Sequence, residues 1–236
     1  MAKSLRPWTV LSPGPLRSLD DNLWCIDDDV PGVRVLTRRM IIARCTDGKL
    51  VFFNAIPVGD ETLAAVRALG TPAHLIIPNR FHTIDAAAFR DKLGLKAYGP
   101  PKSIDEVCRN LDVAPYADLP ADAAIGIHTV DGFKTGEAVL VVKTGPRASV
   151  VVSDLLTNVR HGSGFAGFFF KLLGFTGDAP KLPKPVKMRV LSDAAAVRAL
   201  LDKLADTPGL ARVIPTHGEI IDKDPAAVLR EIAKTV

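Results

Sequence analysis

Three polar corners in this sequence carry the residue types that hold metal ions and move protons. The first, "PNRFHTID" (78–85), crowds Asn79, His82 and Asp85 into one loop directly after the apolar run "HLII". The second, "SDLLTN" (153–158), sets Asp154 just beyond "ASVVV", and the third, "THGEI" (216–220), sets His217 just beyond "ARVIP". Imidazole and carboxylate groups ligate zinc and iron and serve as general acids and bases. In open α/β sheets, ligand sites gather beyond the carboxyl ends of strands, where loops vary while the sheet holds them rigidly. His82, Asp154 and His217 are therefore the residues that could converge, with Asn79 and Asp85 beside the first of them.

The elements that must position these corners follow a strand-and-helix rhythm. "NLWCIDDDV", "VRVLTRRMIIARC" and "KLVFFNAIPV" are rich in β-branched and aromatic residues, and the Asp47-Gly48 turn joins the last two into an antiparallel meander. "GDETLAAVRALG" puts Leu63, Val66 and Leu69 on one helical face, which predicts a helix over about 60–69. "AHLIIPN" then reads as a buried strand, "DAAAFRDKLG" as a helix, "KAYGPP" as a short strand and "SIDEVCRNL" as a helix with a Ser103 to Glu106 capping box. The second half repeats the cycle. "AIGIHTV", "AVLVVKT" and "ASVVVSDLL" are strands, "DAAAVRALLDKLAD" is a helix, "ARVIPTHGEI" is a strand, and "DPAAVLREIAKTV" is a helix with Asp224 as N-cap and Pro225 at its first position. Alternating elements of this kind imply a layered sheet with helices outside it.

Composition narrows the functional classes. A chain of 236 residues with 47% apolar content and no low-complexity tract is globular and long enough for a substantial core. The net charge of +4 is scattered and only 6% of residues are aromatic, so a nucleic-acid-binding surface is not expected. Cys25, Cys45 and Cys108 are widely spaced with no CxxC pair, which predicts reduced cysteines rather than disulfides or a thiolate metal site. No secretory segment is visible, because Pro7, Pro13 and Pro15 interrupt the N-terminal stretch, and no run reaches the ~20 apolar residues of a membrane span. The expectation is a cytoplasmic protein forming one domain over 1–236, with a Gly- and Pro-rich insert at 159–187.

The order of corners and strands resembles the metallo-β-lactamase superfamily, and more narrowly a bacterial branch in which the first motif reads Pro-Asn-x-x-His. "DGKLVFFNAIPV" is similar to that family's early strand pair, "HLIIPNRFHTIDAAAF" to its His-x-His-x-Asp-His loop, and "DGFKTGEAVLVV" to its "PGHTPGS" segment. "VVVSDLL" is similar to the strand ending in the metal-bridging Asp, and "VIPTHGEI" to the strand carrying the last His. The resemblance covers nearly the whole chain and implies a four-layer αββα sandwich of α/β class, with the site at one edge between the sheets.

The departures from the family pattern matter as much. Aligned without gaps, Asn79, Phe81, Thr83 and Ile84 stand at the first His, the second His, the Asp and the third His, and Phe133 stands at the His of "PGHTPGS". Phe and Ile offer no lone pairs, and an Asn oxygen is a weak neutral ligand, so a two-metal site lacks its donors. One metal remains within reach if a small twist of the loop turns His82 inward. His82, Asp154 and His217 would then be a two-His, one-carboxylate set, suited to one zinc or iron that activates water against an ester, amide or thioester carbonyl. In that reading Asn79 orients water or substrate and Asp85 acts as general base.

Plainer roles stand beside these. Asp154 could accept the backbone N–H groups of the turn after it, His217 could bond across its loop, and His82 could cap the helix near Asp85, itself a natural N-cap. Two functional classes follow: a hydrolase-like enzyme with at most one divalent metal and an unknown small carbonyl or ester substrate, or a catalytically silent binding or assembly module without metal. Phe168, Phe169, Leu172 and Leu173 of "GFAGFFFKLLGF" (164–175) lie at helical spacing, as a packed helix, a cover over the site mouth, or a homodimer or membrane-surface contact.

Overall fold

Alternation along the strands sorts the apolar side chains into three separate cores. In "LWCI", Leu23 and Cys25 face one side and Trp24 and Ile26 the other, and in "LVFF" Val51 and Phe53 part from Leu50 and Phe52 in the same way. A strand with apolar residues on both faces must be covered on both faces. The computed structural model, which describes residues 6–108, 111–160, 171 and 174–236, shows how.

The first sheet contains β1 (Arg17–Asp20), β2 (Leu23–Val30), β3 (Val33–Arg44), β4 (Lys49–Phe53), β5 (Thr71–Ile76), β6 (Lys96–Gly99) and β7 (Ala114–Pro115), paired in that order. The pairs from β1 to β4 are antiparallel, the expected meander, and those from β4 to β7 are parallel. The parallel pairs are bridged by α1 (Asp60–Leu69), α2 (Ala86–Leu93) and α3 (Ile104–Cys108). The second sheet has the order β11-β10-β9-β8, from β8 (Ile125–Thr129), β9 (Ala138–Thr144), β10 (Arg147–Val152) and β11 (Leu210–Pro215). The helices α4 (Lys184–Arg189), α5 (Ala194–Ala205) and α6 (Pro225–Thr235) follow in the second half, and short 3-10 turns lie at Pro101–Ser103 and Tyr116–Asp118.

Leu63, Val66 and Phe89 cover the outer face of the first sheet, and Val197, Leu201, Leu229 and Ile232 cover that of the second. Between the sheets, Ile41, Phe53, Ile76 and Tyr98 meet Leu140, Val151 and Ile214. The layers are therefore helix, sheet, sheet, helix, as expected. Each buried Leu, Val or Phe contributes roughly 1.5–3 kcal/mol relative to an exposed one. Polar ties join the sheets at their edges: Asp20 pairs with Arg147 of β10 and, at 3.4 Å, with Arg212 of β11. Among the described residues no helix is long and apolar enough to cross a membrane.

Two helix starts differ from the sequence expectation. Ser103 donates its hydroxyl to the Thr135 carbonyl, and Glu106 pairs with Arg80, so neither forms the capping box. Asp224 does occupy the N-cap of α6, but its backbone is left-handed and its side chain makes no capping bond. Of the expected 164–175 helix only Lys171, Gly174 and Phe175 lie within the described residues, so its packing, cover, dimer and membrane-surface roles fall outside them.

Candidate metal centre

The parallel register of β10 and β11 assembles one side of the site. Val152 pairs with Pro215, so the residues that follow run in step: Ser153 beside Thr216, their hydroxyls 3.1 Å apart, and Asp154 beside His217. The other side comes from the corner after β5. There Asn79 forms an Asx turn, its Oδ1 accepting the Phe81 N–H at 2.9 Å, which folds the chain back and brings His82 over the second sheet. The corner is clamped from behind by Tyr116, whose buried hydroxyl lies 2.6 Å from the Ile77 carbonyl and 2.8 Å from that of Pro78.

His82, Asp154 and His217 thereby meet, with one potential ligand atom from each within 4.8 Å of the others. Asp154 Oδ1 lies 3.7 Å from His82 Nε2 and 3.8 Å from His217 Nε2. Ligands on a tetrahedral zinc with bonds of about 2.0–2.1 Å stand roughly 3.3–3.4 Å apart, so Asp154 Oδ1 lies within about half an ångström of that spacing from each imidazole nitrogen. His217 donates from Nδ1 to the Thr37 carbonyl at 2.7 Å, which turns the lone pair of Nε2 toward Asp154. Three such donors, with no fourth protein ligand grouped with them among the described residues, fit a catalytic zinc or iron better than a closed structural site.

His217 is seated from β3. The Arg39 guanidinium donates to the Pro215 and Gly218 carbonyls at 2.8 and 2.9 Å and is held by Asp27 at 2.7 Å. Gly218 itself has φ +90°, and a Cβ there would stand 2.1 Å from the Asn158 carbonyl oxygen. Burial lowers the His217 imidazole to about 4, reinforced by the neighbouring His82 and only partly opposed by Asp154 and the Thr37 carbonyl. Burial alone would raise the Asp154 carboxyl, but the neighbouring His82 and His217 imidazoles and the Asn79 amide hold it down at about 2.

One residue of the site has no counterpart in the sequence reading. Glu137, buried immediately before β9, accepts the Ser153, Asp154 and Leu155 N–H groups at 3.2, 3.1 and 2.8 Å, and the Asn79 amide at 3.0 Å. Burial and the Asp154 charge push its carboxyl up to about 8, while four converging donors favour its ionised form. The N–H groups that Asp154 might have taken for its own turn go to Glu137, which leaves Asp154 to face the histidines. The sequence signal was an acidic residue opening the apolar run "AVLVV", a slight one.

The other expected residues find different partners. His82 caps no helix; its Nε2 lies 3.0 Å from Ser153 Oγ and points inward. Asn79 places its NH2 between two carboxylates, 3.0 Å from Glu137 and 2.9 Å from Asp154. Asp85 sits at the N-cap of α2 without a side-chain capping bond, because its buried carboxylate pairs with Arg38 at 2.6 Å and Arg6 at 3.3 Å. A buried carboxylate is stabilised far more by a guanidinium than by one backbone N–H. It stands behind Arg38, which lines a cavity of about 550 Å³ shared by His82, Asp154 and His217.

The wall of that cavity is largely apolar, with Leu36, Phe81, Phe175 and Val186 among its residues, and Arg189 stands exposed at its edge. Phe133, at the position expected to have lost a ligand, is buried in the second helix-facing core.

No family model matches the sequence, and no curated protein matches it. Solved structures do match its fold. A metallo-β-lactamase from Pontibacter korlensis superposes with a TM-score of 0.60 at 10% identity, covering 94% of this chain and 99% of that one. DIM-1 metallo-β-lactamase, in a crystal exposed to ceftazidime, gives 0.61 at 12% identity, over 94% and 98% of the two chains. FIM-1 from Pseudomonas aeruginosa, in its mono-zinc form, gives 0.58 at 14% identity, over 94% and 96%. With its two sheets, outer helices and site corners in this order, the chain has the metallo-β-lactamase fold.

Proposed function

We propose that this protein is a metal-dependent hydrolase that holds one divalent ion, zinc or iron, on His82, Asp154 and His217 and acts on a small carbonyl or ester substrate. The observation that carries this reading is the convergence of those three donors at an apolar cavity large enough for a small molecule. The crystal structure of FIM-1 in its mono-zinc form supports it, as an instance of this fold with one zinc. When bound, the ion supplies Lewis acidity toward water and a carbonyl oxygen.

The chain's own residues do the rest. His217, fixed by Thr37, and Asp154, fixed by Asn79, each aim one lone pair at the shared site. The apolar wall excludes bulk water from the acyl part of a substrate, and Phe175, Pro185 and Val186 of the 159–187 insert line that wall, which supports reading the insert as a cover. Asp85 acts through Arg38, which it holds at the cavity wall. The thiols of Cys25 and Cys45 are unpaired, which supports a reducing, cytoplasmic setting.

A second reading has its own observation: Ser153 Oγ, 3.0 Å from His82 Nε2, already partners the nitrogen an ion would use, as in a metal-free binding module. Elemental analysis of protein prepared without chelator and then incubated with zinc or iron separates the two. The hydrolase reading expects close to one equivalent per chain; less than about a tenth of an equivalent would leave only the binding module.

A further inference from the structure

The two oxygens of Asp154 live in different surroundings. Oδ1 faces both imidazoles, whereas Oδ2 accepts from the Asn79 amide at 2.9 Å. The same amide nitrogen lies 3.0 Å from Glu137 Oε2, so its two hydrogens are shared between two carboxylates, while its oxygen is held by the Phe81 N–H. Glu137 in turn gathers the N–H groups of residues 153 to 155, the turn that carries Asp154. Glu137 fixes the backbone of Asp154 and Asn79 fixes its carboxylate plane, both from buried positions.

We infer that Asn79 and Glu137 are a positioning pair that occupies Asp154 Oδ2, so that Asp154 offers a single oxygen to a single metal ion. This rests on the metal reading above. Two carboxyl groups brought this close need a hydrogen-bond donor between their facing oxygens. Here that place is taken by the hydrogens of an amide, tethered through its own Asx turn. A second ion that used Oδ2 would have to displace Asn79 from both carboxylates and leave the amide buried without acceptors, a costly arrangement. The sequence difference that removes ligands from the first corner thus also supplies the group that fills the space.

Cobalt(II) titration of the purified full-length chain tests this, with visible d–d absorption as the signature of coordination and equilibrium dialysis for affinity. Wild type is expected to saturate at one equivalent. Asn79→Ala, which frees Oδ2, is expected to change the d–d band shape and intensity and to weaken cobalt binding by about ten- to a hundredfold, the usual effect of losing a partner that orients a ligand. Glu137→Gln puts an NH2 against backbone donors and is expected to weaken binding in the same range. Should it fail to fold, Asn79→Ala alone decides. A folded Asn79→Ala protein with lowered thermal stability but unchanged cobalt spectrum and affinity would overturn the positioning pair while leaving the metal site standing. Wild type that takes up no cobalt would overturn the metal reading, and this inference with it.

Discussion

At the scale of the residue, His217 shows most directly how the fold sets chemistry. Its imidazole is buried, tied at Nδ1 and lowered to about 4, whereas in the unfolded chain it titrates near ~6.5. A group whose folded pKa is depressed binds fewer protons in the native state, so its contribution is complete above the unfolded value and is lost as pH falls toward the folded one. Between pH ~6.5 and ~4 the metal-free protein is therefore expected to lose on the order of 3 kcal/mol through this residue. Glu137 runs the opposite way, because its raised carboxyl stabilises the fold at low pH and ceases to as pH climbs from 4.5 to about 8. Urea denaturation of wild type and His217→Gln, each at pH 7 and pH 4.5, isolates the histidine. The variant should be much less acid-sensitive than wild type, and equal sensitivity would mean that His217 is not the proton-binding group.

At the scale of the element, the site depends on two chain crossings. β10 and β11 run parallel and in step, and the loop beyond β11 passes so close to the 157–159 segment that Gly218 has no room for a side chain. Gly218→Ala must relieve a 2.1 Å approach and adopt a left-handed backbone, which is expected to cost about 2–4 kcal/mol and to shift His217 away from Asp154. A chemical melt together with zinc affinity checks this: a variant with wild-type stability and zinc affinity would show that the crossing does not set the ligand geometry. Such crossings also explain what could be read from the sequence. Strands, helices and the three polar corners follow from local periodicity and turn residues, and the layers follow from strands apolar on both faces. Glu137 was not legible, because its burial arises when the Ala138 N–H bonds to the Pro78 carbonyl, joining parts of the chain about sixty positions apart. Asp85 was legible as the N-cap position of α2, but its side-chain partner was not. A helix N-cap is a local pattern, but its pairing with Arg38 across 47 positions is not.

At the scale of the whole molecule, the candidate ligands belong to both sheets. His82 comes from the corner after β5 in the first, and Asp154 and His217 follow β10 and β11 in the second, so an ion held by all three would fasten the two halves together. Such a site is assembled only in the native state, and the binding free energy of the ion therefore becomes folding free energy. With free zinc about a hundredfold above its dissociation constant, the stabilisation is about 2.7 kcal/mol. For a chain of this length each kcal/mol raises the unfolding midpoint by roughly 2–4 °C, which predicts a shift of about 5–11 °C between chelated and zinc-loaded protein. Differential scanning calorimetry of wild type, His82→Ala and Asp154→Ala, with chelator and with zinc, measures it. The shift should be large in wild type and nearly absent in both variants. If zinc stabilised the His82→Ala protein as strongly as wild type, the ion would be bound by the second sheet alone, and the joining of the two halves at this corner would have to rest on protein contacts, among them Ser153 with His82 and Asn79 with Glu137.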